Sequence, residues 1–93
     1  MLTITNIRIY PFDTSAIKGK VRAFAEVEID GCLLIKGFKV IEMETGGIFV
    51  AYPAQKNKDG KYIELIIALD KEVEKLLREK ILEEFKSSIS NRQ

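Results

Sequence analysis

The chain has 93 residues, 46% hydrophobic and 31% charged, with a formal net charge of +1; this is room for one domain with one modest core, and it excludes a disordered chain or a strongly basic polyanion binder. Histidine is absent and Cys32 is the single cysteine, which removes the commonest general base, an internal disulfide and a zinc set, so no metal, no cofactor and no catalytic residue are expected. No apolar run approaches the ~20 residues of a membrane helix and no basic segment leads a long apolar one, so the expectation is a cytoplasmic protein without a signal peptide or a membrane span.

Residues 2–10 ("LTITNIRIY") alternate as a first strand, closed by Pro11. "DTSAIKGK" (13–20) is rich in turn formers and reads as a connection. In "VRAFAEVEIDGCLLIKGFKVIE" the apolar Val21, Ala23, Ala25, Val27 and Ile29 alternate with Arg22, Phe24, Glu26 and Glu28, the period of a half-buried strand. Asp30-Gly31 then supplies the positive-φ pair of a two-residue hairpin turn. Such a turn predicts that Val27 faces Leu34, Ala25 faces Lys36 and Ala23 faces Phe38 on the core side. On the other side it sets Phe24 over the bare backbone of Gly37, and Arg22 beside Lys39.

"METGG" (43–47) reads as a turn, residues 48–52 as a fourth strand ended by Pro53, "NKDG" (57–60) as a turn tip and residues 62–69 as a fifth strand. From Asp70 the period changes to that of a helix. Val73, Leu76, Leu77, Ile81, Phe85 and Ile89 form one apolar stripe, with Asp70 as N-cap and Glu72 and Glu74 at the positive end of the dipole. Glu74–Arg78 and Lys80–Glu84 are spaced as i,i+4 pairs. The fold class is therefore α+β: a small antiparallel sheet of about five strands over 1–69, one C-terminal helix over 70–88 packed on it and a tail over 89–93, together one domain over 1–93.

Two basic groups and one acidic pair stand out. The loop after Pro53 carries Gln55, Lys56, Asn57, Lys58 and Lys61, flanked by Tyr52 and Tyr62. Lysines and amides of this kind contact phosphate oxygens, and an exposed tyrosine stacks on an unpaired base; equally, a hairpin tip is lysine-rich simply because it is solvated. Lys71, Lys75 and Arg78 make a helical stripe, but the interleaved Glu72, Glu74 and Glu79 favour a solvated, charge-laced face. Glu26 and Glu28 share a strand face, a routine arrangement that does not point to catalysis without a base or a metal cluster.

The order of segments resembles the stage V sporulation protein G family, SpoVG. The likeness runs from about Thr5 to Phe85 and rests on "NIRIY", "KVRAFAEVEID", "FKVI" and above all "GIFVAYPAQKNKDGKY", in which Gly47, Phe49, Val50, Ala51, Pro53, Lys56, Asp59 and Gly60 match the family's strand, proline and turn. The chain departs from that pattern at Ala54 and Gln55, where the family has Ser and Lys, and across Tyr62–Ala68, where an Arg, a His and a Pro are replaced. The resemblance implies a sheet with a C-terminal helix, a homodimer, and a non-enzymatic DNA- and RNA-binding regulator of low sequence specificity. It further implies a link to cell division and septation, sporulation and gene expression, with a division or regulatory protein as a further partner. It marks Arg8, Arg22 and Lys39 as a second basic patch; the competing reading pairs these cations with Glu26, Glu28 or Glu42. The alternative to nucleic-acid binding is a protein–protein interaction module without that activity.

Overall fold

The computed structural model describes residues 2–11 and 20–90, with side chains as far as Ile89. The connection expected at 13–20 therefore lies outside the described residues except for Lys20, as do tail residues 91–93. Strands β1 (Ile4–Pro11), β2 (Val21–Ile29), β3 (Leu33–Glu42) and β4 (Ile48–Ala51) form one antiparallel sheet in chain order. Two short strands, β5 (Ala54–Lys56) and β6 (Tyr62–Glu64), pair only with each other, and helix α1 spans Lys71–Ser90. The arrangement is α+β. Several element boundaries shift, the first strand to Ile4–Pro11 and the fourth to Ile48–Ala51 among them. The fifth strand expected over 62–69 shortens to Tyr62–Glu64 and joins a separate hairpin, and Ile89 and Ser90, read as tail, are helical.

The β2–β3 turn shows why one sequence-based expectation fails. Asp30 (φ 53°) and Gly31 (φ 68°) adopt the positive-φ pair as anticipated, and the Cys32 N–H donates to the Ile29 carbonyl at 3.0 Å. The strands beyond it, however, pair Ile29 with Leu33, Val27 with Ile35 and Glu26 with Lys36. The register then shifts, and Ala25 pairs with Phe38 and Ala23 with Val40. A bulge at Gly37 (φ 104°) absorbs the extra residue and exchanges the two faces of β3. Before it, Leu33 and Ile35 share the inner face; after it, Phe38 and Val40 do. This puts Lys36 outside, opposite Glu26, where the uninterrupted alternation placed it inside.

The inner face buries Ala23, Ala25, Val27, Phe38 and Val40 in one cluster with Leu77, Ile81 and Phe85 of the helix. Small alanines on β2 leave depth that the larger helix side chains fill, and each fully buried Phe or Ile contributes roughly 1.5–3 kcal/mol. Asp70 caps the helix as expected: its Oδ1 accepts from the Glu72 N–H at 2.8 Å. The i,i+4 ion pair formed is Lys75–Glu79, at 4.0 Å, rather than Glu74–Arg78 or Lys80–Glu84.

Tyr52 packs edge-on against Phe38, with ring centroids 5.2 Å apart. Its hydroxyl is buried without a hydrogen-bond partner among the described residues. Burial, then the nearby carboxylates of Glu74 and Glu64, push its pKa above 10.0, against a smaller opposite pull from Arg78. As pH rises through about 10, the unfolded tyrosine loses its proton while the folded one keeps it; the unfolded state then binds fewer protons and stability falls. Tyr52→Phe retains the ring packing and removes both the orphan hydroxyl and this ionisation. Thermal melts should show an equal or slightly higher midpoint at neutral pH, and a shallower loss of stability above about pH 10.

Candidate nucleic-acid interface

Pro53 determines where the basic loop sits. It is buried, and a Cβ built at Gly37 would lie 3.2 Å from its Cβ. It is thus the proline ring, rather than Phe24, that covers the bare backbone at Gly37; Phe24 lies opposite Lys39. The Pro53 carbonyl accepts from the Leu65 N–H at 2.8 Å, closing the base of the β5–β6 hairpin. At the other end, Asn57 organises the turn. Its Oδ1 accepts from the backbone N–H groups of Asp59 and Lys61, both at 2.9 Å, and Gly60 (φ 80°) completes the bend. Asn57 therefore offers a ligand only its side-chain NH2, since its carbonyl oxygen is committed within the loop.

The hairpin register sorts the candidate residues by face. Lys56 pairs with Tyr62, Ala54 with Glu64, and Gln55 with Ile63. Lys56 and Tyr62 thus share one face, and the Lys56 ammonium stands 6.0 Å from the Tyr62 ring centroid, a cation–π distance. Gln55 projects from the opposite face with Ile63. Lys58 and Lys61 belong to the exposed turn.

The sheet patch divides differently. Arg8 lies opposite Glu26, with 3.9 Å between Nη1 and Oε1, and Lys36 reaches the other oxygen of the same carboxylate at 3.9 Å. Arg22 does not stand beside Lys39; its Nε donates to Glu42 Oε1. Carboxylates therefore partner both arginines, as the competing reading held. Lys39 belongs to another row of the sheet, Tyr10–Phe24–Lys39–Ala51. Among the described residues Lys39, Lys56, Lys58 and Lys61 form no ion pair.

A cleft of about 430 Å³ lies between the sheet and the hairpin. Lys39, Ile41 and Phe49 line it from the sheet, and Ala54, Tyr62 and Glu64 from the hairpin. Phe49 and Glu64 are absent from the sequence-derived candidates. Phe49 sits between Ile48 and Val50, so no polar alternation marks the face it occupies, and Glu64 reads as one more surface carboxylate. Among the described residues no group of three or more His, Cys, Asp or Glu could hold a metal, and no helix is long and apolar enough to cross a membrane.

Comparison with known proteins agrees with this anatomy. The SpoVG family model matches residues 2–87, which takes in the sheet, the hairpin and most of the helix. A septation protein SpoVG of Myxococcus xanthus is 30% identical over 92 residues, 99% of this chain and 88% of its own length. One of Agathobacter rectalis is 32% identical over 90 residues, 97% of this chain and 99% of its own. One of Bdellovibrio bacteriovorus is 26% identical over 90 residues, 97% of this chain and 79% of its own. With the family model and its relatives spanning nearly the whole domain, the chain belongs to the SpoVG family.

Proposed function

We propose that this protein is a nucleic-acid-binding regulator of low sequence specificity that works as a cytoplasmic homodimer, in the septation and sporulation setting that its relatives' names carry. It acts by binding rather than by catalysis. The observation that carries the reading is the hairpin: Lys56, Lys58 and Lys61 are exposed and, among the described residues, without carboxylate partners, on a scaffold seated against the sheet by Pro53. Phosphate contacts of this type carry little sequence information, which fits a site-general binder. A net charge of +1 keeps long-range attraction small, so affinity is modest per subunit and rises when two hairpins engage one strand. A gel-shift panel of single- and double-stranded DNA and RNA at low salt tests this; retarded bands are expected, and none with any of the four would refute it.

The apolar stretch from Ile63 in β6 to Leu69 supports the homodimer. Ile63, Leu65, Ile67 and Leu69 are 52, 60, 63 and 95% exposed in one continuous stretch, beside an apolar groove lined by Leu33, Phe38 and Val73. Apolar surface of this extent is costly in a monomer, and a second copy, related by two-fold symmetry, covers it. Light scattering at micromolar concentration should give twice the monomer mass, and Ile67→Glu should shift the protein to monomer. A wild-type monomer throughout that range would contradict the dimer. The protein-docking alternative, in which the charged loop docks a protein partner instead, gains ground only if the gel-shift panel is negative.

A further inference from the structure

We propose that the cleft between the β5–β6 hairpin and the sheet receives one unpaired nucleobase with hydrogen-bond donors on its pairing edge, guanine above all, and that Glu64 reads that edge. The inference rests on the nucleic-acid reading above and adds which strands are taken and which base is preferred.

The cleft has the size and composition for it. Its volume of about 430 Å³ falls within the ~300–1,000 Å³ of small-ligand sites. Its walls are mainly apolar, with the rings of Phe49 and Tyr62 among them, and two charged side chains, Lys39 and Glu64, complete the lining. A base within a duplex has both faces stacked and its pairing edge occupied, so only an unpaired base can offer a face to an aromatic wall and an edge to a side chain.

The carboxylate is the informative group. Glu64 lies opposite Ala54 on the hairpin face that also carries Lys56 and Tyr62, and it forms no ion pair among the described residues. Against a phosphate it would be repulsive. Against a base edge it is an acceptor with two oxygens. Guanine presents N1–H and N2–H side by side, matching both oxygens; cytosine and adenine present one exocyclic amine each. Thymine and uracil place their single N3–H between two carbonyls that repel the carboxylate. Lys39, half-buried and without an ion pair, is the cation for the phosphate of the same nucleotide. The order of preference is therefore guanine first, cytosine and adenine next, and thymine or uracil last.

The test is fluorescence anisotropy of the full chain with labelled 20-mers. One is all thymidine; the others carry guanine, adenine or cytosine at every fifth position, a spacing that avoids guanine runs. The guanine strand should bind about tenfold tighter than the thymidine strand, within the range of one good base contact. Glu64→Gln should bring that ratio close to one while leaving the circular dichroism unchanged. Equal affinities in the wild type, or a ratio untouched by Glu64→Gln, would overturn the base-reading role and leave general nucleic-acid binding intact. Free GMP displacing the strand with strand-like affinity would overturn it as well, by making the cleft a mononucleotide site. Failure of every strand to bind at low salt would remove the broader reading along with this one.

Discussion

Replacing Lys56, Lys58 and Lys61 together by glutamate should lower affinity for single and double strands alike, by at least about tenfold at low salt, without unfolding the protein. The three substitutions change the hairpin by six charges and take the chain from +1 to −5. If each lysine contacts one phosphate, each loss removes about 0.9 from the duplex salt slope, so the slope should fall by up to about three units. Lys56→Glu also abolishes the cation–π contact with Tyr62. The fold is expected to survive because the turn is held by the Asn57 side chain and by backbone hydrogen bonds, including Asn57 N–H to the Lys61 carbonyl at 2.8 Å, and none of the three lysine side chains takes part in these. Anisotropy at two salt concentrations, with circular dichroism as control, checks both halves. Unchanged affinity in a folded variant would take the hairpin out of the interface.

Gly37→Val should destabilise the protein by about 2–6 kcal/mol, a large share of the ~5–15 kcal/mol that holds a domain of this size. Two costs add. At φ 104° the backbone is in a region that a β-branched residue avoids, and even the first carbon of its side chain would lie 3.2 Å from Pro53 Cβ. The neighbour cannot yield cheaply, because Pro53 is buried and its carbonyl closes the hairpin base through Leu65. Urea denaturation measures the loss. Because the same contact seats the hairpin, folded Gly37→Val protein at low temperature should also bind strands more weakly than wild type, which links the bulge to the candidate site.

Much of the fold was legible in the residues. The alternation in β2, the positive φ of Asp30 and Gly31 and the Asp70 cap each follow from a local rule that the structure obeys, whereas the turn's register does not hold and Ile89, read into the apolar stripe, is half exposed. What escaped depends on tertiary contacts. No pattern in "LIKGFKV" announces that Gly37 carries an extra residue; the sole hint was Lys36 falling among core positions, a conflict that a face exchange resolves. Residues 65–69 read as a strand because they are a continuous apolar run, yet the described structure forms no strand there. The hairpin lysines were visible as a run of charge. The cleft that sets Lys39 of the sheet facing Tyr62 and Glu64 of the hairpin was not, since it depends on Pro53 packing on Gly37, two residues from separate elements. Likewise, opposing charges in sequence could not show that Arg8 and Arg22 have carboxylate partners while Lys39 has none among the described residues; strand register and the bulges decide that.

The most direct test of electrostatic strand binding is the affinity of the wild-type protein for a labelled 20-mer single strand across a salt series. The account predicts that log affinity falls linearly with log salt, with a slope of about −0.7 for each phosphate neutralised. Binding with a flat slope, or no binding at the lowest salt, would contradict it.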